Sequence, residues 1–144
     1  MKFNLIIDET KEPEVTVVCS KVTKTISEIE RLCAAQQSDI LYGYNDGEIV
    51  PLELADIDCF YTKDNKVFAS CDKKTYLVKI RIKDVLEMVD DAFIKINQGA
   101  VVKVSSINRF EASIGGSLKV VLKNGQYDYV SRREVKNIKR RFGL

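Results

Sequence analysis

The sequence predicts a mainly β (α+β) fold: an antiparallel β domain with short helices, closed by a basic C-terminal helix and preceded by a small β-β-α extension. Three observations predict it. Short runs of strand-forming residues recur every eight to twelve residues or so, the spacing of an all-β module. Asp46-Gly47 and Asn124-Gly125 stand between such runs, and both pairs favour tight hairpins. Helical periodicity is confined to three short stretches.

The elements follow in order. Residues 3–7 and 15–19 are rich in strand formers, and residues 8–14 between them hold Pro13 and five charges, which makes a turn. Val22, Ile26, Ile29, Leu32 and Cys33 then fall at helical spacing. Residues 1–38 therefore read as a β-β-α extension, too small to be stable alone. A second domain is expected over 39–144. It opens with a hairpin, 40–44 against 48–53, around Asn45-Asp46-Gly47. Strands at 57–61 and 67–70 are separated by Thr62-Lys63-Asp64-Asn65-Lys66, and a further strand covers 75–80. Ile82, Val85, Leu86 and Val89 give one short helix. Strands 93–96 and 100–104 flank Asn97-Gln98-Gly99, and 107–114 precedes a turn at Gly115-Gly116. Strands 118–122 and 127–130 flank the last hairpin turn.

The closing helix is the clearest of the three. Val135, Ile138 and Phe142 lie on one helical face. Ser131 stands at the N-cap with Glu134 three residues on, an S-x-x-E capping box. Gly143 supplies a C′ stop. Residues 131–144 carry six Lys/Arg against one Glu.

Composition removes much chemistry. The chain has 144 residues and no His, which excludes Ser-His-Asp and Cys-His triads and His-ligated metals. Cys19, Cys33, Cys59 and Cys71 are widely spaced with no C-x-x-C pair, so they read as small buried or half-buried thiols. Asp56/Asp58 and Asp90/Asp91 stand at element ends without a fixed pattern, and Gly115-Gly116 lacks the spacing of a phosphate-binding loop. No enzyme, metal or cofactor is expected. No apolar run approaches ~18 residues, the N-terminus has no secretory pattern, and a cytoplasmic location is expected.

The net charge of +2 hides a division. Residues 1–60 hold five Lys/Arg and twelve Asp/Glu, whereas residues 61–144 hold 18 and nine. A polyanion partner for the basic half follows from that asymmetry. Basic or amide residues sit in loops: Lys63, Asn65 and Lys66; Asn97 and Gln98; Arg132 and Arg133 at the start of the last helix. Lys and Arg neutralise phosphates and release counterions. Asn and Gln pair bidentately with adenine, and Arg with guanine, in the major groove. A β module projecting such loops from one edge is suited to reading DNA without laying a helix in the groove. Arg133 is expected on a base or phosphate, Asn97 and Gln98 on base edges, and Lys63, Asn65, Lys66, Lys95 and Arg132 mainly on phosphates.

Spread over 49–142, the chain resembles the LytTR DNA-binding domain of bacterial transcription regulators. One piece is Leu54-Ala55-Asp56-Ile57-Asp58-Cys59-Phe60-Tyr61, similar to the family's opening strand. A second runs from Phe93-Ile94-Lys95-Ile96-Asn97-Gln98-Gly99 through Val104-Ser105-Ser106-Ile107. The third is Leu122-Lys123-Asn124-Gly125-Gln126 followed by Tyr129-Val130-Ser131-Arg132-Arg133. The resemblance implies a mostly antiparallel β domain whose loops enter successive major grooves, with the loop positions falling on 63–66, Asn97-Gln98 and Arg132-Arg133. Asn97 stands where His or Ser is common, Gly99 where Ser is common, and Lys103 where Asn is common. The resemblance further implies a stand-alone regulator without a receiver domain, since residues 1–38 are too few for that module of ~120 residues. Such relatives suggest control by a partner, often a membrane protein. Double-stranded DNA and a second copy of the chain are the expected partners, the latter because one small module covers few base pairs. The alternative is a protein-interaction or anti-activator module under a membrane partner, without direct DNA readout.

Overall fold

The structure, a computed structural model, describes residues 2–12, 14–35 and 40–144. Its chain divides into two units, Met1–Ser38 and Asp39–Leu144.

Among the described residues the first unit holds one helix, α1 (Lys24–Ala35), with Ile26 and Ile29 half-buried. The two strands expected ahead of it do not form. Residues 3–7 and 15–19 lie in no strand, and Phe3 and Val18 are 87% and 94% exposed. The physical reason is that a lone two-stranded ribbon is marginal in water unless a third strand or a helix covers it. The turn between them closes on itself instead. Asp8 Oδ1 accepts from Thr10 N at 3.0 Å and from Thr10 Oγ1 at 2.6 Å, and these bonds hold the Asp8 carboxyl below its ordinary pKa.

The second unit opens with β1 (Leu41–Asn45) and β2 (Glu48–Leu52), followed by one turn of 3-10 helix at Leu54–Asp56. Then come β3 (Cys59–Lys63), β4 (Lys66–Cys71) and β5 (Lys74–Val78). A short helix, α2 (Ile82–Met88), leads to β6 (Phe93–Asn97) and β7 (Ala100–Lys103). The chain finishes with β8 (Ile107–Ala112), β9 (Leu118–Leu122), β10 (Tyr127–Val130) and α3 (Arg132–Phe142). Seven strands make one sheet in the order β2-β1-β5-β4-β3-β7-β6, and three make another in the order β10-β9-β8. Every pairing is antiparallel.

Local sequence explains the hairpins. Asn45 faces Glu48, and Asp46 and Gly47 both take positive φ, 46° and 80°. Lys63 faces Lys66 in the same way, with Asp64 at 51° and Asn65 at 59°. Two successive positive-φ residues make the turn whose twist matches the flanking strands, and Asn, Asp and Gly tolerate it best.

Alternation then splits β3 and β7 between two cores. Phe60 and Val101 point to one side, with Ile57, Ala69, Val78, Val85 of α2 and Phe93. Cys59, Ala100 and Val102 point to the other, with Ile96, Val120, Leu122 and Ile138 of α3. The β3-β7-β6 end of the large sheet is thus sandwiched, with α2 on one face and the three-stranded sheet plus α3 on the other. Burying one side chain such as Phe60 or Ile138 stabilises by roughly 1.5–3 kcal/mol.

A polar cluster pins the layers. Ser106 Oγ donates to Asp58 Oδ1 at 2.6 Å, and Asp72 N donates to Asp58 Oδ2 at 2.7 Å. Asn124 Nδ2 lies within bonding distance of Ser70 Oγ (3.3 Å), the Asp72 carbonyl (3.1 Å) and Gln126 Oε1 (2.8 Å). Buried Ser70 and Ser106 are therefore satisfied, as buried hydroxyls must be.

The capping box of α3 does not close. Ser131 takes the extended N-cap conformation, but its side chain makes no cap bond. Its own backbone N–H already donates to the Ile96 carbonyl at 2.9 Å, so Glu134 has no orphan donor to reach back for. Glu134 accepts from Asn137 Nδ2 instead. Gly143 ends the helix with φ 67°, as its position past the last turn predicts.

Candidate nucleic-acid interface

Three turns meet at one end of the second unit. Because β3 pairs antiparallel with β7, Tyr61 faces Ala100, and the last residues of β3 lie beside the first of β7. Thr62 N donates to the Gly99 carbonyl at 2.7 Å, which ties the β3–β4 turn to the β6–β7 turn. Asn97 Nδ2 donates to the Tyr129 carbonyl at 2.9 Å, and Ser131 N donates to the Ile96 carbonyl at 2.9 Å. Those bonds tie the β6–β7 turn to the β10–α3 junction, so two backbone bonds and one side-chain bond, from Asn97, hold the rim.

Each sequence-predicted residue has a definite place on this frame. Lys63, Asn65 and Lys66 are exposed on the β3–β4 turn, and Gln98 is exposed at the tip of the β6–β7 turn. Arg132 and Arg133 are exposed in the first turn of α3. Asn97 is half-buried and committed: Gly99 N donates to its Oδ1 at 2.8 Å while its Nδ2 serves Tyr129. That leaves one N–H and one lone pair on the carboxamide. Lys95 departs from the group. It lies directly opposite Val101, and Val101 belongs to the α2-side core. Paired residues project to the same face, so Lys95 sits on the α2 face of the edge strand and not in the turn.

Among the described residues, none of Lys63, Lys66, Lys95, Arg132 or Arg133 takes part in an ion pair. The ion pairs join Glu111 to Arg109 at 2.9 Å and to Lys119 at 3.2 Å. The rim cations thus keep their charge available to an anion. Farther along α3, Lys136, Lys139 and Arg140 are exposed, while Arg141 donates to the Asp91 carbonyl.

Sequence reasoning missed one feature of this end. Tyr127 and Tyr129 of β10 are 60% and 54% exposed, with their rings edge to face at 6.3 Å. Their i, i+2 spacing was the available signal, since it puts both on one face of a strand. The thiols offer no nucleophile here. Burial pushes the Cys59 thiol up to about 12, with nearby Asp58 adding to the effect. Burial raises Cys71 in the same direction.

Residues 47–143 match the LytTr DNA-binding domain family. An uncharacterized HTH-type transcriptional regulator of Staphylococcus aureus strain NCTC 8325 / PS 47 is 27% identical over all of this chain and 99% of its own. Its counterpart in strain MSSA476 is 28% identical over the same shares. Among solved structures, a LytTr DNA-binding domain from Bacillus cereus superposes with a TM-score of 0.68 at 16% identity, covering 74% of this chain and 100% of that one.

Proposed function

The chain belongs to the LytTr DNA-binding domain family, and from that premise we propose that it is a transcription regulator that grips duplex DNA with turns instead of a recognition helix. The observation that carries this reading is the convergence of three turns at one end, two of them cationic, each bonded to the next. Its helices support the same view. Among the described residues α2 and α3 are separated by five strands, so they form no helix-turn-helix pair.

Arg133 and Gln98 carry base readout, because both are exposed and Gln98 has no competing bond among the described residues. Lys63, Asn65, Lys66 and Arg132 position the backbone through phosphates. Asn97 shapes the central turn and offers one remaining N–H to the groove. Lys95 adds long-range charge from the sheet edge. One module of this size covers few base pairs, so the protein acts as a homodimer or as paired copies on repeated half-sites, in the cytoplasm. Control comes from a protein partner, with a membrane-protein regulator the one the resemblance implies.

Selection of bound duplexes from a random pool, followed by anisotropy titration over a salt series, tests the reading. The expected outcome is one enriched sequence. The logarithm of affinity should fall against that of salt with a slope of roughly −3, as three cationic phosphate contacts, Lys63, Lys66 and Arg132, require. An unenriched pool with salt-independent affinity would end it.

A further inference from the structure

We infer that the half-open cavity between β3, β7 and the β9–β10 hairpin binds a small anionic amphiphile, a compact apolar body bearing one carboxylate, with its head on Lys63. The cavity measures about 320 Å³, within the range of small-molecule sites. Its inner walls are Ile96, Ala100, Val102, Val120 and Leu122, all buried members of one apolar core. Its charged and amide side chains are Lys63, Gln126 and Asp128, beside the hydroxyls of Tyr61, Thr62 and Tyr127. That combination of dry walls and a few convergent polar groups orients an amphiphile.

The sign of the head follows from the polar groups. Lys63 and Lys66 are cross-strand partners and so project to one face. Of the two, Lys63 alone lines the cavity. The one carboxylate there, Asp128, already accepts from Tyr129 N at 2.7 Å, whereas the Lys63 ammonium has no bonded partner among the described residues. Gln126 Oε1 already accepts from Asn124 Nδ2 at 2.8 Å and from Cys59 Sγ at 3.7 Å. What Gln126 has left to offer is its amide nitrogen, a donor. A carboxylate set against Lys63 meets an ammonium and, from Gln126, an amide N–H, whereas a cation there meets like charge and finds its one anionic partner in Asp128.

The site has a consequence that rests on the DNA reading. Lys63 lines the cavity and also stands on the proposed DNA rim. A bound carboxylate and a phosphate therefore compete for one ammonium, and each weakens the other by the same factor.

Octanoate, a soluble probe of this class, is titrated into the full chain and followed by backbone amide NMR. Saturable one-site shifts confined to Cys59, Thr62, Lys63, Ala100 and Gln126 are expected. Octanol, which lacks the charge, should bind about tenfold more weakly, and Lys63→Met, a surface change, should abolish that preference. Ala100→Leu, which fills the cavity, should abolish binding of both probes in a variant whose amide spectrum remains folded. Non-saturating or scattered shifts, or octanol binding as well as octanoate, would overturn the site. In a parallel arm, octanoate should lower duplex affinity of the wild type; binding without that effect overturns the competition. Duplex binding without octanoate shifts defeats the cavity alone. Octanoate shifts in a chain that binds no duplex defeat the regulator reading alone.

Discussion

Asn97 Nδ2 donates a 2.9 Å hydrogen bond to the carbonyl of Tyr129, across 32 positions of sequence. The same carboxamide accepts from Gly99 N at 2.8 Å. One side chain therefore closes its own turn and anchors that turn to the strand leading into α3. Replacing Asn97 with Ala removes both bonds and should cost about 1–3 kcal/mol of stability. Because the rim loosens as a whole, binding to every duplex should weaken. Urea melts and anisotropy titrations check this; normal stability with loss confined to one base pair would assign Asn97 to readout instead.

Arg133 and Lys66 should separate readout from positioning. Arg133→Ala is expected to weaken the selected sequence by about 1–3 kcal/mol and to relax preference at one position. Lys66→Ala should weaken all duplexes alike and reduce the salt slope by about one. Titrations against selected and scrambled duplexes at three salt concentrations distinguish the two. Wild-type affinity in the Arg133 variant, or a sequence-dependent loss in the Lys66 variant, contradicts the assignment.

Much of this site was legible because its turns are local. Asp64 and Asn65 take the two positive φ values that a two-residue hairpin needs, and their residue types announce it. The cationic and amide content of the three turns is likewise plain in the sequence. What local pattern does not contain is pairing order. That β5 lies against β1, and β7 against β3, depends on which apolar faces find cover. For the same reason the sequence offers Lys95 as a phosphate ligand without its face, and only the register opposite Val101 places it on the α2 side. The strands expected at 3–7 and 15–19 failed through the same dependence: strand propensity there has no ladder to join.

Cys59 makes stability pH-dependent on the alkaline side. Burial raises its folded pKa to about 12, above the ordinary thiol value of 9.0, so the folded state holds the proton more tightly than the unfolded state. Below pH 9 both states are protonated and nothing is lost. Above it the unfolded thiol ionises first, unfolding gains a driving force, and stability falls as pH rises toward the folded value. Urea midpoints at pH 8 and pH 10.5 should therefore drop more for wild type than for Cys59→Ala, with lysine and tyrosine titration common to both. Equal drops would mean the thiol is not shielded in solution.

Two glycines predict opposite outcomes on adding one methyl group. At Gly43 of β1 a Cβ would stand 2.6 Å from Tyr76 Cβ and 2.7 Å from Leu52 Cδ1. Tyr76 and Leu52 are buried in the α2-side core, and Tyr76 Cβ is tied directly to its backbone. Gly43→Ala must push strands apart and should cost about 1–3 kcal/mol, the usual range for overpacking. At Gly99 the nearest atom is Thr62 Cβ at 3.4 Å, ordinary contact, and no positive φ forbids a side chain. Gly99→Ser, the residue the family favours there, should change stability by no more than about 0.5 kcal/mol. It adds a hydroxyl between two cationic turns, where a phosphate would pass, so duplex affinity should rise without a change in sequence preference. Thermal melts decide the first pair of outcomes. A Gly99→Ser variant that folds normally yet binds more weakly would mean that the DNA backbone does not run past the central turn.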